Sequence, residues 1–220
     1  MKYNTALPFF SKDDIDEIIP QLEEILKGNG FFTKGPKVKE FEKLFSEYIG
    51  SKYGVAVNSC TSALEIVLKA IGISDGDEVL VPTQTFVSTA SCVVNNGGTP
   101  IFCEIGHNHL IDYDDLKAKI RDNTKAVIIV HFGGLIHPDI WEIKKYLKER
   151  NIYLIEDAAH AHGAKIDNVF AGNIGDFGCF SFYSTKIMTT GGEGGFISTN
   201  NEKLFDLCSS FGAIGIDKKI

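Results

Sequence analysis

Apolar positions along the chain fall into two alternating periods. Spacings of three and four residues predict helices. One carries Ile15, Ile18, Ile19, Leu22, Ile25 and Leu26 after Ser11, a residue suited to N-capping, and a second carries Val38, Phe41, Leu44, Phe45, Tyr48 and Ile49. Others carry Leu64, Val67, Leu68 and Ile71, then residues 113–120, then Trp141, Ile143, Tyr146 and Leu147, and finally residues 202–211. Short apolar runs between them predict strands at residues 55–57, 78–82, 99–105, 126–130, 152–156, 179–183 and 195–199. Thr83, Gln84, Thr85 and Phe86 are expected to open one more helix, directly after the second strand. Pro20 is expected to kink or split the first helix, and Gly28, Asn29 and Gly30 to end it. Strands alternating with helices over short connections predict an α/β fold, three layers deep (α/β/α), around a mainly parallel sheet. Right-handed crossovers then bring the strand-end turns to one sheet edge.

Composition narrows the class. With 220 residues, 44% hydrophobic and 23% charged, the chain can bury the core of an ordinary globular domain. The net charge of -7 argues against a nucleic-acid surface but leaves room for a phosphorylated ligand held by backbone amides. No apolar run approaches the length of a membrane span, and Met1 to Asn4 begin no apolar signal core, so no membrane partner is expected. The five cysteines, Cys60, Cys92, Cys103, Cys179 and Cys208, are scattered without a CxxC pair, which predicts reduced thiols in a cytoplasmic protein and no zinc site. His107 and His109 lack thiol or carboxylate neighbours at ligand spacing and are read as part of a solvated loop, so no metal is expected.

The candidate chemistry sits at strand ends. Lys186 follows an aromatic strand and precedes a run of glycines from Gly191 to Gly195. An amine at a strand end facing a cleft can be desolvated, which lowers its pKa and makes it a nucleophile toward carbonyl carbons. Glu156 and Asp157 end another apolar strand, on the crevice side of an α/β sheet. His160 lies one turn further on, on the same face as Asp157 if that turn is helical. Residues 58–62 form a Ser/Thr-rich turn between strand and helix, which is either a phosphate site or a well-capped helix start; the company of Asp157 and Lys186 favours phosphate. His131, at another strand end, could line the site or satisfy a buried backbone group, and the second reading is preferred.

Four segments in the right order carry a resemblance: Asn58 to Glu65, Val81 to Val87, Glu156 to Gly163 and Phe180 to Lys186. Through them the chain resembles the DegT/StrS family of sugar aminotransferases, among the fold-type-I pyridoxal-phosphate enzymes. The resemblance runs from about Pro8 to the end of the chain. It implies a transaminase that uses pyridoxal 5'-phosphate to move an amino group from glutamate or glutamine to a keto group of a nucleotide-linked sugar. Such enzymes serve amino-sugar biosynthesis for surface polysaccharides or secondary metabolites. It further implies that Lys186 and Asp157 are catalytic, with His160 beside them. Thr61, Ser62 and Ser181 would hold the phosphate, and Phe86 would lie flat on the ring. His160 stands where many relatives have glutamine, and could donate to the cofactor's phenolic oxygen, orient Asp157 or only support it. Phe31 and Phe32 fall in a segment that approaches the substrate in the family, or they pack under the following helix.

The same resemblance implies a homodimer with the active site at the interface. Residues 1–50 are expected to form an N-terminal helical segment and substrate-side loop. Residues 51–220 would form the large domain that binds pyridoxal phosphate, without the family's C-terminal small domain. Two alternatives stay open: an aminotransferase for a free keto-cyclitol, and a truncated, non-catalytic domain that binds the cofactor.

Overall fold

In a computed structural model, which describes residues 8–29 and 31–213, a seven-stranded sheet forms the middle layer. The expectations placed on Met1 to Asn4, on Gly30 and on the segment after Ala213 lie outside the described residues.

The elements follow in chain order. They are α1 (Lys12–Glu24), α2 (Pro36–Ile49), β1 (Tyr53–Val57), α3 (Cys60–Ala70), β2 (Glu78–Pro82), α4 (Ser88–Asn95), β3 (Thr99–Cys103), α5 (Tyr113–Lys119) and β4 (Thr124–Val130). Then come α6 (Ile140–Lys148), β5 (Tyr153–Asp157), the short pair β6 (Lys165–Ile166) and β7 (Val169–Phe170), β8 (Phe177–Ser181), β9 (Gly195–Thr199) and α7 (Glu202–Phe211). The sheet order is β1-β9-β8-β5-β4-β2-β3. Only β9 runs against its neighbours, so all the other strands end at one edge.

Alternation along the strands divides the core. Val79, Val81, Ile128, Ile155 and Cys179 face α3, α4 and α7, where Leu64, Val67, Leu68, Val93 and Cys208 cover them. Leu80, Val127, Ile129 and Leu154 face α5 and α6, meeting Leu116, Ile140, Ile143 and Leu147. A third, aromatic cluster joins Phe45 of α2 to Phe180, Phe182 and Phe196, all buried. Phe45 meets each of the three rings edge-on at 4.9 to 5.1 Å, an arrangement favoured by ring quadrupoles.

Several local expectations change. Helix α1 starts on a capping box between Ser11 and Asp14 and runs through Pro20 without a break. The helix after β2 begins at Ser88 rather than at Thr83. The Thr83 N–H instead donates to the Cys103 carbonyl, 2.9 Å away, and residues 83–85 form a bend. Strand β8 ends at Ser181, two residues earlier than the aromatic run suggests; beyond it Phe182 and Ser184 keep backbone bonds to Gly194 and Gly192 across the hairpin. Phe31 and Phe32 do not pack under α2; both stand exposed. Among the described residues no helix is long and apolar enough to cross a membrane.

His162 lies inside the aromatic cluster, only 8% exposed, with its ring 5.1 Å from Phe182 and 5.5 Å from Phe180. Burial pushes its pKa from the ordinary 6.5 down to about 4. The nearby Ser181 backbone offsets part of this without being placed to hydrogen-bond either ring nitrogen. The folded chain therefore binds fewer protons than the unfolded chain between those two values. The stability involved is complete above about pH 6.5 and is lost as the pH falls towards 4, amounting to about 3 kcal/mol. His137 and His160 are lowered in the same direction by burial. His162→Leu is expected to remove the largest share of this slope, read from urea unfolding at a series of pH values; an unchanged slope would assign the acid loss to other groups.

Candidate active site

Each strand that ends at the common edge delivers a turn. The turn after β1 starts α3. Ser59 caps that helix by accepting from the Ser62 N–H at 3.1 Å, and the two side-chain hydroxyls also meet at 3.1 Å. The first N–H groups of a helix have no partner inside it, so those of Cys60 and Thr61 remain for a ligand. Gly195 on β9 makes this seating possible, because a Cβ there would collide with the Ser59 carbonyl and the Cys60 nitrogen.

Strand β5 ends in two carboxylates that the strand period sends to opposite faces. Asp157, buried, turns toward α3 and α4. Its Oδ1 accepts from the Ala159 N–H at 3.2 Å and lies 3.7 Å from Cys60 Sγ, and its Oδ2 accepts from Thr89 Oγ1 at 2.9 Å. Glu156 turns the other way and has no exposure at all. It accepts from the backbone N–H groups of Gly172, Ile174 and Gly175 at 2.6 to 2.8 Å and pairs with His131 Nε2 at 2.8 Å. His131 is thus neither a site residue nor bound through its ring to a backbone group. Its side-chain partner is Glu156, while its own N–H donates to the Asp157 carbonyl at 3.0 Å. The alternation that separates the two carboxylates also puts this histidine on the Glu156 side.

Lys186 lies on the loop between β8 and β9. Phe182 N–H donates to Gly194, Ser184 N–H to Gly192 and Lys186 N–H to Tyr183, at 2.8 to 3.0 Å. The loop is therefore a backbone-bonded extension of the hairpin, and it carries Lys186 half-buried at the sheet edge.

These turns enclose a cavity of about 360 Å³. Thr61, Phe86, Asp157, His160, Ser181 and Lys186 all line it. Ser62 does not. Its N–H and hydroxyl are engaged by the cap, and it faces a separate groove beside Phe32 and Phe211. Cys60, Thr85, Phe132, Tyr183 and Glu193 line the cavity as well. Phe86 is 72% exposed at its rim. His160 is held below its ordinary pKa by burial and by the Lys186 charge, with Asp157 acting in the opposite sense, so it is a neutral imidazole at pH 7. Burial, then Asp157, pushes the Cys60 thiol well up, so it stays protonated and is no nucleophile. His109 meets Gln84 at 3.0 Å, and its ring lies 5.9 Å from that of Phe132.

Two other hollows are larger, about 480 Å³ beside Lys144 and Lys148 and about 800 Å³ beside Phe32 and Phe211. The first opens at the opposite sheet edge, and neither combines an amine, a buried carboxylate and a helix start. Thr89 escaped the sequence reading. Its only signal was the four-residue spacing from Thr85 beside a strand end, which identifies nothing until Asp157 is known to face it.

Fold and site together define an α/β domain with a cavity at the ends of its parallel strands. A family profile then matches residues 12–220, and the chain belongs to the DegT/DnrJ/EryC1/StrS aminotransferase family. It is 42% identical over 214 residues to the spore coat polysaccharide biosynthesis protein SpsC of Bacillus subtilis, covering 97% of this chain and 53% of that protein. It is 38% identical over 197 residues to the GDP-perosamine synthase of Escherichia coli O157:H7, covering 89% and 53%. Among solved structures it superimposes on NtdA of Bacillus subtilis with bound cofactor PMP at a TM-score of 0.87, with 31% identity over 100% of this chain and 51% of that one. The chain spans about half the length of the curated relatives it matches.

The buried carboxylate network yields a stability test. Glu156→Leu strips the acceptor from three peptide N–H groups and one imidazole, and is expected to cost about 4 kcal/mol or more by urea unfolding. Glu156→Gln, which keeps one carbonyl acceptor, is expected to cost less. Equal losses would show that volume rather than hydrogen bonding matters there.

Proposed function

We propose that this chain is the cofactor-holding part of a pyridoxal-phosphate-dependent aminotransferase. The observation that carries the reading is the shared cavity of Lys186 and Asp157. Its donors and acceptors suit the group: an amine for the aldehyde, a buried carboxylate for the ring nitrogen, an exposed aromatic face at Phe86 and helix N–H groups for the phosphate. Thr61 and Ser181 add hydroxyls at the same place. Ser62 serves through the cap that orients the first turn of α3.

When bound, pyridoxal phosphate supplies an electron sink for the pair left behind as a proton departs from the amino donor's α-carbon. Asp157 accepts the ring N–H and keeps that nitrogen positive. Lys186 Nζ is the lining amine of the cavity, and moves the proton as base and then as acid. His160, neutral, is available as a hydrogen-bond donor to the cofactor's phenolic oxygen or as a support for Asp157. Phe86 excludes water from one side.

In this reading the amino donor is glutamate or glutamine and the acceptor is a keto group of a nucleotide-linked sugar. That substrate class is supported by the relatives named for GDP-perosamine synthesis and for spore coat polysaccharide. Residues 51–220 form the cofactor-binding unit, while residues 1–50 supply the helical segment and a loop on the substrate side. The chain works as a homodimer that closes the cavity. Support comes from exposed apolar side chains at Phe86, Val87 and Ile187 near the cavity, and from α1, none of whose residues is buried. A cytoplasmic setting suits five buried, unpaired cysteines.

The test is covalent trapping. After incubation with pyridoxal phosphate and reduction by borohydride, the expected added mass lies on the peptide containing Lys186. Lys186→Ala loses both that mass and the visible absorbance of the loaded protein. An adduct of equal yield in the alanine variant overturns the reading. Asp157→Asn is expected to keep the adduct while slowing the glutamate-driven loss of visible absorbance about 100-fold or more in a single turnover.

A further inference from the structure

Asp157 is held on both oxygens, and the hold on Oδ2 continues outward. Thr89 Oγ1, fully buried, donates to Oδ2 at 2.9 Å and lies 2.7 Å from Thr85 Oγ1. Geometry alone leaves the donor of the second contact open. The carboxylate decides it, because an ionised carboxylate only accepts and a hydroxyl has one proton to give. With the Thr89 proton on Asp157, Thr89 must accept from Thr85. The Thr85 proton is then used as well, and Thr85 offers only lone pairs to the cavity it lines.

We propose that Thr89 is a positioning residue for Asp157, and that Thr85 holds the Thr89 hydroxyl in the orientation that donates. Donors on different oxygens, Ala159 N–H and the weaker Cys60 thiol on Oδ1 and Thr89 Oγ1 on Oδ2, prevent the carboxylate from rotating about its bond to Cβ. They leave its remaining lone pairs for a donor inside the cavity. Hydrogen bonds to a charged acceptor are stronger than those between neutral groups, and a chain of them polarises each member. The relevance of this chain to cofactor chemistry rests on the assignment of Asp157 made above; the chain itself does not.

The test reads Asp157 directly. The side-chain carboxyl carbon of Asp157 is titrated by NMR in the ligand-free 220-residue chain, as wild type, Thr89→Val, Thr89→Ser and Thr85→Val. Lys186, His160, Glu193, Tyr183, Cys60, Cys92 and Cys179 are the titratable groups that interact with Asp157 or share its cavity, and all are retained in every variant. Removing the Thr89 donor is expected to raise the Asp157 midpoint by about one pH unit, a tenfold weaker acid. Thr89→Ser is expected to restore it, which a mere packing role would not predict, and Thr85→Val to move it the same way by less. A Thr89→Val midpoint equal to wild type, or a serine variant that stays with valine, overturns the proposal. Thr85→Val without any shift overturns its outer link.

A second arm separates this from the functional reading. Wild type and Thr89→Val are loaded with pyridoxal phosphate and reduced with borohydride. Both should be tagged at Lys186, with the glutamate-driven loss of visible absorbance before reduction about tenfold slower in the valine variant. Absence of the tag in wild type, with the NMR shift intact, defeats the cofactor assignment and upholds the hydroxyl chain; an equal rate in both overturns the positioning role.

Discussion

Glu156 has no contact with solvent, yet it accepts three peptide N–H groups and one imidazole. A carboxylate removed from water costs several kcal/mol unless its lone pairs are filled, and here each oxygen has two partners. The arrangement ties the end of β5 to the turn before β8 and to the residue that follows β4. Gly172 is required in that turn, since its φ is +81° and a Cβ would strike the Phe180 ring. With Glu156 anchored on one face, the pleat leaves Asp157 no choice but the other. The cavity-facing carboxylate is therefore aimed by its neighbour's burial as much as by its own hydrogen bonds.

The remaining parts of the cavity follow from strand direction. Parallel strands send their following turns to the same edge, so residues far apart in the chain meet there without long loops. The antiparallel β9 brings the chain back beside β8, and the connecting loop, bonded to itself, presents Lys186 at that edge. Because β9 also pairs with β1, a glycine at its start lets the capped turn of α3 lie flat against the sheet. Lysine, aspartate and helix start are thus coordinated by one strand reversal. Burial and then the Lys186 charge keep His160 beside them neutral, against the opposing pull of Asp157.

Much of this was legible in the residue pattern. The period of apolar positions identified the principal strands and helices, because burial on a sheet or on a helix stripe leaves a direct mark in sequence. Strand ends carrying Asp157 and Lys186, and a Ser/Thr turn before α3, pointed to one sheet edge, where Asp157, Lys186 and Thr61 do line a common cavity. Cap residues were legible too: Ser11 caps its helix, as its residue type suggests. Pro20 misled, because an exposed helix can give the carbonyl freed by proline to water and continue.

Other decisions belonged to the tertiary structure. Which of two adjacent carboxylates faces the cavity depends on the register of β5 between β4 and β8, a long-range property that no local pattern records. His131 found Glu156 for the same reason. Ser62 left the cavity because the cap engages its side chain, and Thr89 entered the account only once α4 was seated over Asp157. The sequence by itself determined the elements, their order and the residue types able to do chemistry, because propensity and periodicity are local. The sheet decided which of those groups share a cavity, because strand register and direction alone set the distances between residues far apart in the chain.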